Sequence, residues 1–333
     1  MTPRNDQTEL RKDPVSTRWI LVRSDLPSSN ANGGCPFCPG AESETPPEIA
    51  AYRNGGREGN GPGWLVRVIP ERAPLFQVEG TTRREGAGMF DRVSGRGASE
   101  IIIEHPDHRT SWDVMPVRDL ERVLWMYRDR IIDLYRDPQI RAILILRRER
   151  TPSDRVTHPF SRVVGTPIVF DDLRYELSSA RQHFKYKNRC LFCDIVHQER
   201  QDGIRVIEES KHFLVYAPYA SPRAYETSVA PLIHRHRFQD FSTDQAADLA
   251  LILQRTYRRF HAIQPSLPLE LTLHTAPNEN MRLRDDDWKT LSDDFHWHIE
   301  IAPRTPAVQR VGGFAVNSVR PELVSRQLRD VRL

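Results

Sequence analysis

The sequence predicts an α+β protein built as two tandem domains of one design, each a mainly antiparallel sheet with flanking helices. Three observations carry this. The chain has 333 residues, about two domains at roughly 150 residues each. Its four cysteines fall into two matching pairs, Cys35-Pro-Phe-Cys38 and Cys190-Leu-Phe-Cys193. After each pair, strand-like and helix-like segments follow in a similar order, with histidines at corresponding places, the mark of internal duplication. The expected division is residues 1–180 and 181–333.

In the first half, Trp64–Pro70 alternates as a strand and Ala98–Glu104 is a stronger one. The turn at His105-Pro-Asp-His108 follows. Val117 to Arg136 reads as a helix, with Leu120, Val123, Leu124, Met126, Tyr127, Ile131 and Leu134 on its apolar face. Ala142–Leu146 is a buried strand, and His158-Pro-Phe160 lies beyond it. In the second half, His212–Tyr216 and Tyr225–Ala230 read as strands and lead to the turn holding His234. Ser242 caps a helix running to about His261. Leu269–His274 is a strand, and Phe295–Ile301 alternates with His296, His298 and Glu300 on one face. His108 stands eight residues before Pro116 and His234 eight before Ser242, each at a helix start.

Composition bounds the rest. Hydrophobic residues at 38% against 28% charged, with mean hydropathy −0.57, suit a water-facing globular chain with a sizeable core. Lys+Arg 48 against Asp+Glu 45 leaves +3, too little to argue for a nucleic-acid partner. No apolar run reaches the roughly 18 residues of a membrane span, and MTPRNDQTEL has no signal-type apolar stretch. A cytoplasmic location and no membrane partner are the expectation. In that compartment a C-x-x-C pair is a metal site or a redox pair rather than a lasting disulfide, and zinc is favoured here. Zinc takes four ligands. One set would be Cys35, Cys38, His108 and His158; the other Cys190, Cys193, His234 and His296.

The stretches Arg11–Val22, Cys35–Cys38, Ile101–His108, Phe295–Pro303 and Gly312-Gly-Phe314 resemble the galactose-1-phosphate uridylyltransferase family, over about residues 9 to 330. The resemblance implies two histidine-triad-type α+β domains in one subunit, a homodimer, and a nucleotide-sugar or phosphorylated small-molecule substrate. The nearest named activity is uridylyl transfer from UDP-glucose to a hexose 1-phosphate, through a nucleotide held covalently on a histidine. That chemistry needs a neutral imidazole nitrogen aimed at phosphorus and donors at the phosphate oxygens.

This chain departs from the family at that site. The family's run His-Pro-His-(Gly/Ser)-Gln matches His158-Pro-Phe160-Ser161-Arg162, so the nucleophile position is Phe160 and the Gln position Arg162. Pro70-Glu71-Arg72 stands where the family has an Asn-rich turn, Asp25–Asn30 where it has phosphate-contacting arginines, and Ala315 where it has a sugar-binding Glu. The lead-in to the nucleophile, Gly- and Ser-rich in the family, is Arg147–Arg155, expected to be a solvated loop, with attraction of phosphates together with Arg162 as the alternative reading. The resemblance also implies a second metal, held in some members by Glu176, His274, His296 and His298, in others by the second cysteine set. Since both sets claim His296, only one is expected to fill, with zinc on the cysteines favoured and iron the alternative metal at the second site.

Three functions fit these residues. Catalysis has moved to the second half, with His298 as nucleophile and Glu300 orienting it; or an open centre of Glu176, His274, His296 and His298 activates water or substrate; or the chain is a non-catalytic, zinc-stabilised nucleotide-binding protein.

Overall fold

In the structure, a computed structural model, residues 8–23, 34–55, 59–152, 154, 156–265, 267–280, 288–304 and 308–333 are described. Asp25–Asn30, and Ser153 and Arg155 of the basic stretch, lie outside these residues. In chain order the first half contains β1 (Thr8–Lys12), β2 (Trp19–Arg23), β3 (Ala50–Arg53), β4 (Trp64–Pro70), β5 (Arg84–Ala87), β6 (Phe90–Ser94), β7 (Ala98–Ile103), α1 (Val117–Leu134), β8 (Ala142–Arg148) and β9 (Phe160–Thr166). Helix α2 (Asp171–Lys187) straddles position 180, and α3 (Leu191–Asp202) follows. The second half then runs β10 (Val206–Glu209), β11 (Phe213–Tyr216), β12 (Thr227–Pro231), α4 (Thr243–Ile263), β13 (Leu269–His274), α5 (Leu291–Asp294) and β14 (His298–Pro303). The chain ends with β15 (Arg310–Val311), β16 (Phe314–Ala315) and α6 (Pro321–Arg329).

The duplication is visible in the topology. One antiparallel sheet of ten strands has the order β10-β11-β12-β14-β13-β8-β9-β7-β4-β3. Read from either outer edge, each half places its first three strands in sequence, then its fifth, then its fourth. The two fourth strands, β8 and β13, pair with each other, Arg148 opposite Glu270 and Ile145 opposite Leu273. That pairing removes two sheet edges that would otherwise be open to strand addition and makes one continuous sheet of two halves. A smaller sheet, β2-β1-β6-β5, is built wholly from the first half.

Strand alternation sorts the large sheet into two faces. Ile143, Ile145 and Val163 point to one face, with Leu271, Leu273, Ile299 and Ile301 from the second half, and join the main core. Helices α1 and α4 cover it and pack on each other. Leu120, Val123, Leu124, Tyr127 and Ile131 of α1 and Leu249, Ala250, Leu253, Tyr257 and Phe260 of α4 are buried there, at the i, i+3, i+4 spacing that makes one helical stripe. Ser242 caps α4 as expected. Its side chain accepts from Gln245 N while the Gln245 side chain accepts from Ser242 N, a reciprocal box that satisfies two otherwise orphaned donors.

The basic stretch differs from the expected solvated loop. Arg147 is 2% exposed, its Nε 3.1 Å from Oε2 of Glu104, which is wholly buried. Trp112 Nε1 donates to the same carboxylate at 2.9 Å, as does Ser161 Oγ. The guanidinium also lies between the rings of Trp112 and Tyr257, at 4.4 and 5.2 Å. Strand alternation puts Arg147 on the helix face, where a lone charge would be expensive. Glu104 and the aromatic faces compensate it, and Tyr257 brings the second half into the cluster.

The regular strand begins at His298 rather than at Phe295. Trp297 still packs with Ile299 and Ile301 in the main core, and Phe192 lies against both His296 and His298.

Candidate metal centres and the nucleophile position

Three groups of side chains could each hold a metal ion, with the ligand atoms of each group within 4.8 Å of one another. The first is Cys35, Cys38, His108 and His158. The Cys35–Cys38 loop meets His108, which follows β7, and His158, which precedes β9. Cys38 Sγ is 3.3 Å from His108 Nδ1 and 3.7 Å from His158 Nδ1, and the two Nδ1 atoms are 3.3 Å apart. Ligands about 2.0–2.3 Å from one tetrahedral centre have edges of about 3.3–3.8 Å. His158 Nε2 is 2.7 Å from the carbonyl oxygen of His105, and His108 Nε2 is 2.8 Å from Thr157 Oγ1. Those bonds orient the rings and leave both Nδ1 lone pairs facing the sulfurs. Burial, then the neighbouring Cys35, pushes the Cys38 thiol up to about 11, since two thiolates crowd one another unless a cation lies between them.

The second group repeats the arrangement. Cys193 Sγ is 3.3 Å from His234 Nδ1 and 3.5 Å from His296 Nδ1, and His234 Nε2 meets the carbonyl oxygen of Ser292 at 2.8 Å. The hydrogen bond with Cys193, backed by His234 and His296, draws the Cys190 thiol down. All four cysteines are free thiols. Both soft-donor sets therefore fit a thiolate-binding metal.

The third group is Glu176, His274, His298 and Glu300. Glu176 comes from α2, His274 from the end of β13, and His298 and Glu300 from one face of β14. His274 Nδ1 is 2.9 Å from Glu176 Oε1, His298 Nε2 is 3.7 Å from the same atom, and His274 Nε2 is 3.7 Å from Glu300 Oε2. The two imidazoles stack, centroids 4.8 Å apart, and Phe192 covers the other face of His298 at 5.0 Å. Neither His274 nitrogen, nor Glu176 Oε2, has a well-formed hydrogen bond. Buried polar atoms left in this state point to a missing partner. Against the burial that lowers it, Glu176 holds His274 up at about 9. The sequence expectation that His296 must be shared is thus corrected. His296 goes to the cysteines, Glu300 takes its place here, and the two sets do not compete for any residue.

The duplicated sheet also relates Phe160, at the position where the resemblance leads one to expect a nucleophile, to His298. Phe160 follows His158 by two residues as His298 follows His296, and each opens its strand. Each is covered by the aromatic residue of its own C-x-x-C loop, Phe160 by Phe37 at 5.3 Å and His298 by Phe192. Phe160 lies in an apolar cluster with Trp64, Ile69, Ile101 and Ile103. The guanidinium of Arg150 sits over its ring at 3.7 Å. Nearby, Arg162 Nη2 donates to Glu71 Oε1 at 2.6 Å.

The two positions are not one site. From Phe160 the face runs across β8 and β13 to Ala302 of β14, then four residues along to His298. At about 4.8 Å per strand and 3.3 Å per residue, that is about 20 Å.

No protein-family model matches the chain. It is 26% identical over 352 aligned residues to the ADP-glucose phosphorylase of Arabidopsis thaliana, covering 99% of this chain and 94% of that one. It is 23% identical to a galactose-1-phosphate uridylyltransferase of Thermotoga maritima, covering 98% and 99%. The chain resembles the galactose-1-phosphate uridylyltransferase family along nearly its whole length. A solved galactose-1-phosphate-uridylyltransferase-like protein of Arabidopsis thaliana superposes with a TM-score of 0.76 at 25% identity, covering 97% of this chain and 99% of that one. A solved uridylyltransferase superposes at 0.79 with 22% identity, covering 96% and 97%, which supports the α+β scaffold. Against that family, two of the departures noted in the sequence are partners in space. Glu71, from the replaced turn, and Arg162, at the Gln position, bond to each other. The signal for Arg150 was present only as one arginine among several, and its stacking on Phe160 could not be read from the sequence.

Proposed function

We propose that the protein recognises a nucleotide sugar or a phosphorylated metabolite without forming a covalent nucleotidyl-histidine in its first half. The observation that carries this reading is Phe160, locked between Phe37 and Arg150 at the sheet position where the family's nucleophile stands. A phenyl ring has no lone pair to offer phosphorus. Substrate class is supported by the relatives, named for nucleotide-sugar chemistry, and by a solved ADP-glucose phosphorylase of Arabidopsis thaliana with ADP-glucose bound, whose likeness at 23% identity supports the shared fold.

His298 and Glu300 are read as ligands of a third metal rather than as nucleophile and orienting group. His298 is 5% exposed and sandwiched between two rings, a poor approach for an in-line attack. Both cysteine sets are read as zinc clips that fasten a loop to a strand end. The mixed imidazole and carboxylate set at Glu176 suits zinc or iron and ties α2 to the second half.

Incubation with UDP-glucose or ADP-glucose radiolabelled in the nucleotide is expected to give saturable binding and no acid-labile protein label. Label mapped to His298 would overturn the reading and restore the relocated nucleophile; absence of binding to any nucleotide sugar would overturn the substrate class. Metal analysis of the purified chain is expected to give three ions per chain, two of them zinc. His274→Ala should lose the third alone. Two ions in the parent chain, or loss of zinc from the cysteine sets in His274→Ala, would contradict the separation of the two sets.

A further inference from the structure

The two C-x-x-C loops differ in how they meet the strand beneath them. Each carries a phenylalanine just before its second cysteine. In the first half Phe37 meets Phe160 edge-on, with ring planes 86° apart. In the second half Phe192 lies flat on His298, with centroids 5.0 Å and planes 27° apart. His274 lies flat on the other side, at 4.8 Å and 19°. His298 is thus the middle of three nearly parallel rings. Its Nδ1 is 3.2 Å from the carbonyl oxygen of His296, and a hydrogen bond donated there leaves Nε2 turned toward Glu176. An imidazole free to change rotamer would lose that aim. Two of these restraints begin in the second cysteine set. Phe192 stands between Cys190 and Cys193 and packs on Phe295 at 5.6 Å, and His296, whose carbonyl faces Nδ1, is a member of the set.

We propose that Phe192 is a positioning residue that couples the two centres of the second half. With the set of Cys190, Cys193, His234 and His296 closed, its loop holds Phe192 on His298 and aims His298 at Glu176 before an ion reaches the third group. Groups that orient a ligand imidazole from outside change metal affinity by about 10–100-fold, because a donor already in place need not be ordered on binding. The coupling runs both ways. An ion in the third group fixes His298, and through it Phe192 and the cysteine loop, so each centre favours the filling of the other by the same factor. Phe37 has no such role, because Phe160 offers no ligand atom. The proposal rests on the reading of Glu176, His274, His298 and Glu300 as a metal centre.

The test is a Co²⁺ titration, followed by visible absorption, of the full chain with zinc in both cysteine sets and the third group cleared by mild chelation. The parent is expected to bind one Co²⁺ per chain. Phe192→Leu keeps the apolar packing on Phe295 but has no flat face. It should weaken Co²⁺ binding about tenfold or more and shift the visible band, with both zincs and the melting temperature kept. Phe192→Met, also apolar and without a ring, should do the same. Phe192→Tyr, which restores the ring, should bind as the parent does. Phe37→Leu, the matching change in the first half, should leave Co²⁺ binding unchanged. Parent-like affinity in Phe192→Leu and Phe192→Met would overturn the coupling and leave the third centre standing. Loss of zinc from the Cys190 set in those variants would overturn it too, since Phe192 would then serve the clip rather than His298. A parent chain that takes up no Co²⁺ would remove the third centre and the coupling with it.

Discussion

Cys38→Ala is expected to release one zinc per chain and lower the melting temperature by about 10 °C or more. Cys38 Sγ faces both His108 and His158 within 3.7 Å, and the four ligands come from three separate stretches of chain. Without the ion, two imidazole nitrogens and the remaining thiol stay enclosed with nothing to bind. The loop that carries Phe37 also loses its anchor, so the support of Phe160 goes with it. Zinc in such sets contributes folding free energy directly, because the unfolded chain has no preformed site. The measurement is metal content by mass spectrometry beside a thermal scan, with a chelator-treated parent as comparison. A variant that keeps two zincs and the parent melting temperature would remove the first cluster as a clip.

Glu104→Ala is expected to cost about 3–5 kcal/mol, since it takes the main carboxylate from the buried Arg147 and leaves it only Glu149, whose Oε1 is 3.6 Å from Nη1. It also unmakes the bonds from Trp112 Nε1 and Ser161 Oγ. Because Ser161 also meets Tyr127 of α1 and Arg147 meets Tyr257 of α4 at 3.3 Å, the damage reaches both halves at once. The double change Glu104→Gln with Arg147→Met should be milder than Glu104→Ala alone, because the remaining groups no longer include an unpaired charge. Denaturant unfolding of the parent and the two variants checks this. Equal loss in the single and double variants would show that the ion pair is not the origin of the cost.

Much of the architecture was legible before any coordinates. Periodicity located α1 and α4 and the strands that follow them, and the serine cap of α4 could be placed to the residue. The matched cysteine pairs, with a histidine eight residues ahead of each long helix, led to both thiolate–imidazole sets. Less was legible where the signal is not periodic. Helices α2 and α3 and the small sheet have no distinctive pattern, so Glu176 was located only by counting from Phe160. His296 was expected to be contested by two metal sets, because the resemblance assigns it to both; the structure groups it with the cysteines and puts Glu300 with Glu176, His274 and His298. Arg147 and Arg150 looked like members of one basic run; alternation on the strand sends Arg147 into the core, and the turn beyond it lays Arg150 on Phe160.

The sequence by itself determined that the unit is duplicated, that each copy carries a cysteine–histidine set, and that position 160 is a phenylalanine with no nucleophilic atom. These follow from residue identity and short-range spacing, which need no knowledge of distant contacts. Tertiary structure alone decided that the fourth strands of the two halves join into one ten-stranded sheet, and that Glu300 rather than His296 joins Glu176, His274 and His298 in the third group. Each of these depends on which segments meet across more than a hundred residues of chain, and that meeting is set by packing and strand pairing rather than by any local pattern.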